Sequence, residues 1–531
     1  MLQINDLRLP VDAAPEALER KLEKLLGLPR GGCGPIRIVR QSIDARDKSR
    51  IQMVYSLRLE VPGEERILRR GLKNVKRVER REYTFPPVHR SSANMPVVAG
   101  MGPAGLFCAL YLARNGIPCV VLERGRSVER RAEDVARFWE TGILDPASNV
   151  QFGEGGAGTF SDGKLTTGTH DPRIGTVLET LHGHGAPEDT LYAHKPHIGT
   201  DILRRVVRSI RLELLRLGCD VRFESQLVGL RAEGDRLRGV TVRGPSGEYI
   251  LETDTLVLAI GHSARDTFQM LYDAGLPLEP KPFAIGVRIE HRQAAISRAQ
   301  FGDVWEKLPP SDYKLSCHLP SGRSAYTFCV CPGGQVVASA SAPGELVTNG
   351  MSFRARDGEN INGGFLVGVT PADFPGADPL AGVRFQRQWE RLAFQLGGGN
   401  FRAPAQRVGD FLARRPSTGG GGVAPTYRPG VTWGSLEDCL PGYVTAALRD
   451  ALPIFDRKVR GFADSDAVLT GVETRSSSPV RLRRDATLQT ALRGVYPCGE
   501  GCGYAGGIVS AAVDGVRVAE AVAGLDCINF L

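Results

Sequence analysis

The spacing of apolar residues predicts a small α/β unit at the amino-terminal end of the chain. The run LQINDLRL, from residue 2, alternates apolar and polar positions as a half-buried β-strand does, and the leucines of PEALERKLEKLLGL recur at helical intervals. Two further runs, IRIVRQSIDA and RIQMVYSLRLEV, are rich in β-branched residues and predict two strands. Prolines and small polar residues at 85–95 are typical of a linker. We therefore predict one module over residues 1–90 and a new domain from residue 95.

The new domain opens on a pattern that is typical of dinucleotide binding. The apolar strand PVVAG enters the turn AGMGPAG, the helix LFCALYLARNG follows, and the strand IPCVVLE ends at Glu123. In this G-x-G-x-x-G spacing, Gly100 permits the tight turn, Gly102 lets the backbone approach a pyrophosphate, and Gly105 lets the helix pack on the strand. The helix amino terminus offers unpaired N–H groups. Glu123 is placed to accept hydrogen bonds from an adenosine ribose.

A second glycine-rich stretch, GEGGAGTFSDGKL at 153–165, matches parts of two phosphate-binding patterns. No convincing strand precedes it, and the Thr, Gly and Ser residues after Gly158 are poor helix formers, so it is not a second dinucleotide turn. Leu165 follows Lys164 where a P-loop needs Ser or Thr, so it is not a P-loop either. We expect a loop that lays its backbone against a flat or anionic ligand, with Lys164 available to donate charge.

A third G-x-G-x-x-G, at 501–506, lies between the strand GVYPCGE and the helix GIVSAAVDGVRVAEAVAG. Too little chain follows for a complete βαβ unit, so these pieces must complete the first domain. The run TDTLVLAIGHS at 253–263 predicts another buried strand that ends at glycine, after a β-meander at about 220–252. Assembly from both chain ends leaves roughly 266–470 as an insertion.

These three separated motifs resemble those of FAD-binding proteins of the glutathione-reductase-like FAD/NAD(P)-binding superfamily. The first is AGMGPAG ending at Glu123, and the second is the strand that ends in Leu258-Ala259-Ile260-Gly261. The third motif comprises Thr487, Gly494, Val495, Tyr496, Gly499 and Glu500. The resemblance implies that the first motif holds the ADP half of FAD. It also implies that Glu500, where the superfamily usually has Asp, bonds the ribityl or pyrophosphate region, and that the helix after Gly506 points at the pyrophosphate or the flavin.

More narrowly, NVQFGEGGAGTFSDGKLTT, HIGTDIL, GHSARDTF, GVRIEH, FCVCPGG and NGMS are similar to a bacterial family of FAD-dependent dehydrogenases of unassigned substrate, often labelled NAD-utilizing dehydrogenases. The likeness runs over nearly the whole chain and implies that the loop at 153–165 packs beside the isoalloxazine ring. The implied cofactor-binding residues are Gly100, Gly102, Pro103, Ala104, Gly105, Glu123, Arg124, Gly155, Gly156, Ala157, Ser161, Leu227, Gly261, Gly499, Glu500, Gly506, Gly507 and Ile508.

The expected fold is therefore α/β. A Rossmann-like FAD-binding domain is built from residues 95–265 and 471–531, an inserted α+β substrate domain occupies 266–470, and the small α/β module precedes them at 1–90.

The flavin itself would carry the electrons, so no catalytic nucleophile is required. The Cys-x-x-x-x-Cys pair of flavin disulfide reductases is absent from SVERRAEDVARFWE, which disfavours thiol–disulfide reduction. Glu473 and Arg475 precede the third motif at i, i+2 spacing, where Arg475 could bind a substrate carboxylate and Glu473 could move a proton. Together with Lys164 they are the predicted catalytic residues. Arg288 and Glu290 would share one face of a strand, and a structural ion pair is the favoured interpretation.

The charge of the chain is concentrated in the first module. The formal net charge is +8, and residues 1–90 carry all of it. The segment RILRRGLKNVKRVERR at 66–81 also spaces Leu68, Leu72 and Val75 as one helix face would. It is either an amphipathic helix with a solvated basic side, or a surface for RNA, an acidic partner or a phosphorylated substrate. Because no aromatic residue lies among these charges, the first interpretation is favoured.

Composition indicates a soluble chain of 531 residues, with 42% hydrophobic and 24% charged residues. Asp6 and Arg8 interrupt the apolar run that a secretory signal needs, and no apolar segment is long enough to span a membrane. The odd number of cysteines, 11, is typical of reduced thiols, and none are at zinc-finger spacing, so a cytoplasmic location and no metal are expected. For the close pairs Cys329/Cys331 and Cys498/Cys502, structural roles are favoured over redox or metal roles.

Together these features predict a cytoplasmic FAD-dependent oxidoreductase that acts on a small organic substrate. Transient reduction by NAD(P)H and direct oxidation of the substrate by the flavin both fit. The alternatives are a flavoprotein that binds or modifies RNA through the basic module, and a non-catalytic flavin-binding regulator. The sequence indicates no membrane partner and does not indicate an oligomeric state.

Overall fold

The amino-terminal module is an antiparallel sheet in the computed structural model, which describes residues 1–14, 16–79, 83–90 and 92–524. Its elements are β1 (Leu2–Pro10), α1 (Ala17–Leu26), β2 (Arg37–Asp44), β3 (Gln52–Leu59), α2 (Glu64–Arg69) and β4 (Val75–Arg77). The strand order is β2-β3-β1-β4. The inward-facing residues of β1 and β3 and the apolar face of α1 form one core, in which Leu2, Leu22 and Leu57 are fully buried. The alternation seen in the sequence therefore builds this small unit.

The helix predicted through the basic segment is wrong beyond residue 69. Helix α2 ends at Arg69, and Gly71 and Asn74 then take left-handed backbone conformations with φ of 60° and 68°. A helix cannot continue through such residues, so Val75 instead begins β4 and pairs with Ile4 of β1. The apolar residues of this segment still pack on the module core. The end of the segment, Arg80 and Arg81, lies outside the described residues, as does Cys527.

The second unit is a five-stranded parallel sheet with helices, assembled from both ends of the chain. Its elements are β5 (Val97–Ala99), α3 (Pro103–Arg114), β6 (Val120–Leu122), α4 (Val128–Thr141), α5 (Arg173–Gly183), α6 (Thr200–Arg216), β7 (Asp220–Arg222), β8 (Gln226–Glu233), β9 (Arg236–Gly244), β10 (Gly247–Glu252), β11 (Leu256–Leu258), α7 (Arg265–Asp273), β23 (Val495–Pro497) and α12 (Ile508–Val522). The sheet order is β23-β11-β5-β6-β7, and β8, β9 and β10 form a separate antiparallel meander. The predicted Rossmann-like domain built from two chain segments is confirmed.

Helix α3 lies at the centre of this unit because it is apolar on all sides. Every residue from Ala104 to Ala113 is buried. Helix α12 packs directly against it, and a Cβ added at Gly515 of α12 would stand 2.2 Å from the Ala104 carbonyl oxygen. The close approach of the two helices brings their amino termini to the same side of the sheet.

The insertion is dominated by a seven-stranded sheet. Its elements are β12 (Leu278–Pro280), β13 (Phe283–Arg292), α8 (Gln293–Phe301), β14 (Ser316–His318), β15 (Ser324–Cys331), β16 (Gln335–Ala338), β17 (Thr348–Met351), β18 (Asn360–Val369), α9 (Ala381–Leu396), β19 (Ala403–Arg407), α10 (Val408–Leu412), β20 (Val431–Trp433), α11 (Gly442–Lys458), β21 (Val468–Glu473) and β22 (Val480–Leu482). The sheet order is β14-β15-β18-β13-β21-β19-β20. The central strands β13 and β18 are buried on both faces. The domain boundaries stay predictions, and strand β21 crosses the one predicted at 470/471.

Candidate functional site

A cavity of about 910 Å³ opens at the carboxyl ends of strands β5, β6 and β11. Ligands of open α/β sheets bind at this end of the strands. Residues of β15, β17 and β21 in the insertion and the start of α12 line its other sides. The predicted site residues that line the cavity are Gly100, Gly102, Pro103, Ala104, Glu123, Arg124, Gly156, Ala157, Ser161, Lys164, Leu227, Gly261, Glu473, Arg475, Glu500, Gly506, Gly507 and Ile508. Gly105, Gly155 and Gly499 are not among the lining residues, and the roles of all these residues stay predictions.

The glycines of the site fall into two groups. A Cβ added at Gly100 would stand 2.2 Å from the Ala259 carbonyl oxygen, and one at Gly105 would stand 1.9 Å from the Gly100 carbonyl oxygen. These two positions require glycine for the fold itself. At Gly102 a Cβ would meet only the Cα of Gly156, at an ordinary 3.8 Å, and at Gly507 it would meet no protein atom within 4 Å. Because the protein leaves room at these two lining positions, glycine there fits the close approach of a bound molecule.

Two helices begin at the cavity. Helix α3 starts after Gly102 and α12 after Gly507, and neither preceding residue has a side chain that could cap the helix. The first-turn N–H groups of a helix have no intrahelical partners and carry a partial positive charge. The two helix ends therefore suit a phosphate group and an electron-rich carbonyl or anion.

Glu123 joins three turns of the chain at the floor of the cavity. Its carboxylate accepts hydrogen bonds from the backbone N–H of Met101 at 3.0 Å, of Gly125 at 2.9 Å and of Gly153 at 2.9 Å. An ionised carboxylate has about four acceptor positions. One position thus remains for the ribose hydroxyl that the sequence predicts.

Arg131, on α4, holds the glycine-rich loop in place, and the sequence analysis missed it. Its side chain is fully buried, and its guanidinium donates to five backbone carbonyl oxygens over 2.6–3.2 Å. These carbonyls belong to Asn149, Val150, Gly153, Glu154 and Gly156. All the donors of the guanidinium are used, so the loop conformation depends on this one side chain. Its position on an amphipathic helix gave no local signal.

Three further residues of the predicted cofactor site make contacts within the protein. Arg124 pairs with Asp266 at the start of α7, with N–O distances of 3.0 and 3.1 Å. Ser161 closes the loop locally, since its hydroxyl donates to the Gly158 carbonyl and accepts from the Gly163 N–H. Gly155 faces away from the cavity, and a Cβ there would stand 2.1 Å from the Thr159 hydroxyl.

At the far end of the cavity, Glu473 is paired with Arg288. The Arg288 guanidinium lies 3.0 Å from the Glu473 carboxylate and also donates to the Asn362 side-chain oxygen at 2.5 Å. The predicted pairing of Arg288 with Glu290 is therefore wrong, because Glu290 instead accepts from the Thr426 hydroxyl at 2.6 Å. Burial raises the pKa of the Glu473 carboxyl above its ordinary value, and Arg288 opposes that shift. A buried carboxyl with a raised pKa can hold a proton beside the cavity.

Most of the N–H donors of the Arg475 guanidinium already bond to groups of the protein. Its guanidinium donates to Glu390 at 2.9 and 3.1 Å, to the Ser341 hydroxyl at 2.6 Å and to the Ser263 hydroxyl at 3.1 Å. Arg265 contacts the same Glu390 carboxylate at 2.7 and 2.8 Å. One N–H of Arg475 remains for a ligand. The predicted bidentate binding of a substrate carboxylate by Arg475 stays a prediction that would require these bonds to rearrange.

Lys164 and three cysteines complete the lining. The Lys164 ammonium donates to the Val330 carbonyl oxygen. Cys329 takes a left-handed backbone conformation, with φ of 40°, and burial raises the pKa of its thiol to about 12. Burial also raises the thiol pKa of Cys331 and Cys498. The raised pKa keeps these thiols protonated at neutral pH, and for the buried Cys331 and Cys498 this favours packing over nucleophilic chemistry, whereas Cys329 is exposed.

Sequence comparisons place the chain among known proteins. Residues 282–476 match the family model described as FAD-dependent protein, C-terminal domain-like, and residues 1–60 match a domain of unknown function. An uncharacterized protein of Clostridium beijerinckii is 46% identical over 525 residues, which covers 98% of each chain. The chain belongs to the family of this clostridial protein. The match over 282–476 supports FAD as the cofactor of this family, whereas membership of the glutathione-reductase-like superfamily stays a prediction.

Several solved structures are similar to this family member at low identity. The anhydrotetracycline hydroxylase OxyS from Streptomyces rimosus is 17% identical, with a TM-score of 0.35, and the match covers 81% of this chain and 61% of OxyS, less than two thirds. A geranylgeranyl bacteriochlorophyll reductase-like protein from Thermoplasma acidophilum is 12% identical, with a TM-score of 0.35 and coverage of 81% and 77%. CtdE in complex with FAD is 12% identical, with a TM-score of 0.31 and coverage of 81% and 84%.

Within the part of the chain that the structure describes, no helix is both long enough and apolar enough to cross a bilayer.

Proposed function

We propose that this family member is an oxidoreductase that uses FAD to oxidise or reduce a small organic molecule. The observation that carries the proposal is the meeting of two uncapped helix starts at one cavity, each preceded by a glycine whose side-chain space the protein leaves free. A cytoplasmic location and transient reduction by NAD(P)H are parts of the same proposal.

The residues present fit FAD. The first turn of α3 would bind the diphosphate, and Glu123 would accept from the ribose with its remaining acceptor position. The glycine-rich loop that Arg131 holds and the first turn of α12 would border the isoalloxazine ring. Bound FAD supplies the two-electron transfer. The residues of the chain orient the ring, exclude water, and hold a proton on the carboxyl of Glu473.

Substitution of Gly102 and Gly507, where the protein leaves room for a side chain, tests whether the cavity binds FAD. We expect Gly102→Val and Gly507→Val to weaken FAD binding at least about a hundredfold, because even small displacements at a bound ligand are costly. Neither residue has a positive φ between 20° and 160°. The FAD-free variants should therefore melt like the wild-type protein. The measurements are FAD uptake by flavin absorbance and thermal melting by circular dichroism.

Gly442→Val is the matched control. Gly442 is the first residue of α11 and does not line the cavity, and a Cβ added there would meet no heavy atom within 4 Å. This variant should bind FAD like the wild type. If the wild type takes up no FAD, or if Gly507→Val binds it as tightly as Gly442→Val, the proposal fails.

Electron transfer distinguishes an enzyme from a flavin-binding regulator. Photoreduced holoprotein is mixed with a quinone, and oxidised holoprotein is mixed with NADH and with NADPH. An oxidoreductase exchanges electrons with at least one of these partners. A holoprotein that exchanges none would favour the regulator.

A further inference from the structure

We propose that the amino-terminal module forms one wall of the substrate entrance, and that this entrance selects organic anions, with an apolar body and a carboxylate, sulfonate or phosphate group. The inference rests on the proposed function and adds the substrate class. It also gives a role to the domain of unknown function at residues 1–60.

The module bridges the two larger units of the protein. The backbone N–H of Gln41 on β2 donates to the Tyr192 carbonyl at 2.8 Å, and the His194 N–H donates to the Gln41 carbonyl at 2.8 Å. Lys48 donates to the Ala299 carbonyl on α8 of the insertion at 2.7 Å. The module therefore contacts both of the larger units.

The segment that contacts the module also contacts the glycine-rich loop. The Leu165 N–H donates to the Pro196 carbonyl at 2.9 Å, and the Ile198 N–H donates to the Gly163 carbonyl at 3.0 Å. Residues 192–198 thus lie between β2 of the module and the loop that is predicted to border the flavin. Arg40 of β2 lines the cavity together with residues 193–196, so the module borders the cavity on this side.

The rim of the opening carries excess positive charge. Arg40 from the module, Lys195 and Lys314 all line the cavity and are exposed. The carboxylate beside them, Asp312, pairs with Lys195 at 2.5 Å. Burial and the neighbouring cations lower the pKa of His194, so this imidazole adds no charge at neutral pH. Among the described residues, neither Arg40 nor Lys314 has an ion-pair partner, so these two lining cations carry uncompensated charge.

Deeper in the cavity, two of the charged groups lie in ion pairs. Asp162 pairs with Arg356 at 2.5 Å, and Glu473 pairs with Arg288 at 3.0 Å. The lining also includes Tyr313, Phe328 and Val330. Uncompensated cations at an opening attract anions and raise their rate of association, whereas the apolar lining suits an uncharged body. This arrangement fits an organic molecule whose acidic group stays at the rim.

The test compares two electron acceptors that differ in charge. Photoreduced holoprotein is mixed in a stopped-flow instrument with naphthoquinone sulfonate, an anion, or with menadione, a neutral naphthoquinone. In each case the reduced flavin gives two electrons, and two protons accompany them, so the quinone becomes a hydroquinone and the flavin is oxidised. A general effect of a variant on the flavin changes both rate constants by the same factor, so it cancels in the ratio of the anionic to the neutral rate.

Arg40→Gln/Lys314→Gln should lower the ratio of the anionic to the neutral rate about tenfold at low ionic strength. Raising the salt concentration should lower the wild-type ratio toward that of the variant, because salt screens exposed charges. The control is Arg69→Gln/Lys73→Gln, which removes the same amount of charge from exposed positions of the amino-terminal module that do not line the cavity. It should keep the wild-type ratio.

An unchanged ratio in Arg40→Gln/Lys314→Gln would overturn the inference and leave the proposed function standing. An equal fall in the control would also overturn it, because net charge alone would then explain the effect. A wild-type holoprotein that either binds no FAD or transfers electrons to neither quinone would instead overturn the proposed function, and the inference with it.

Discussion

The two ends of the cavity are built in different ways. At the nucleotide end, the surface is mainly backbone, supplied by the turn after β5, the glycine-rich loop and the first turns of α3 and α12. At the far end, the surface is mainly side chains of the seven-stranded sheet, where Glu473 and Arg288 come from neighbouring strands. Backbone N–H groups can bind an anion without a charged side chain, whereas the sheet must bury paired charges to present a reactive carboxyl.

This difference determines which substitutions should damage each end of the cavity. A backbone surface depends on the conformation of the loop, so the side chain that fixes this conformation matters more than any single contact with the ligand. A surface of buried charged pairs depends on each partner, because loss of one leaves the other uncompensated. Substitutions at the two ends should therefore differ in kind: a change at Arg131 disturbs the conformation of the loop, whereas a change at Glu473 removes a reactive carboxyl and leaves Arg288 uncompensated.

The largest effect is expected at Arg131. Arg131→Met keeps much of the apolar stem but removes the donor of five backbone carbonyls, four of them in buried hydrogen bonds, and each buried unsatisfied group is costly. We expect the free energy of unfolding of the FAD-free protein to fall by about 4 kcal/mol, measured by urea titration with circular dichroism. FAD uptake at a fixed concentration should fall as well.

Arg130→Met on the exposed side of the same helix is the control. Because Arg130 is exposed, its substitution should change the free energy of unfolding by no more than about 0.5 kcal/mol. If Arg131→Met is as stable as Arg130→Met and binds FAD equally well, the loop does not depend on this side chain, and the contrast between the two ends is weaker than the structure indicates.

The same contrast explains what the sequence could predict. The turn Gly100–Gly105 and its helix are contiguous, so their geometry is encoded within a few residues and this part of the fold could be predicted, whereas binding of a nucleotide there stays a prediction. Glu473 was singled out as catalytic, but its partner Arg288 is 185 positions away. That pairing follows from the antiparallel register of β13 and β21, in which Gly286 lies opposite Glu473. Register is set by long-range packing, so the sequence suggested Glu290 as the partner of Arg288 instead.

The next effect is expected at the far end, chiefly in chemistry, although loss of the pairing with Arg288 also lowers stability. Glu473→Gln keeps the size of the side chain but cannot release a proton. We expect it to slow the oxidation of photoreduced flavin by menadione about a hundredfold at neutral pH, while FAD uptake stays at the wild-type level. Because the pKa of Glu473 is raised, the wild-type rate should fall as the pH rises through that pKa and the proton is lost. The variant should not show this decline.

Glu290→Gln provides a matched control on the adjacent strand β13. Glu290 is also a buried carboxyl whose pKa burial raises, but it does not line the cavity. The oxidation rate of this variant and its pH profile should follow the wild type. A Glu473→Gln protein with the wild-type rate and pH profile would remove Glu473 from the chemistry and make the far end a purely structural pairing.

The smallest effect is expected at Glu500, a carboxyl at the nucleotide end, where the surface is otherwise mainly backbone. Burial raises the pKa of its carboxyl to about 7, and Lys281 opposes the shift. The ordinary pKa of Glu is about 4.3. The folded protein therefore holds this proton more tightly than the unfolded chain, and stability from this group is lost as the pH rises from about 4 to about 7. Above that range the carboxyl is ionised in both states, so no further loss follows.

Glu500→Gln removes this titration and leaves all others in place, including that of the buried Glu154, whose pKa is also raised to about 7. The melting temperature of the FAD-free wild type relative to the variant should thus fall by about 2 °C over this pH range and then stay constant. Melting followed by circular dichroism at a series of pH values measures the difference. If the difference in melting temperature between the wild type and Glu500→Gln does not change with pH, the Glu500 carboxyl is as well solvated in the folded protein as in the unfolded chain. The nucleotide end would then carry no carboxyl that titrates near neutrality at the position where the third motif places one, and the acid–base groups of the cavity would be confined to its far end.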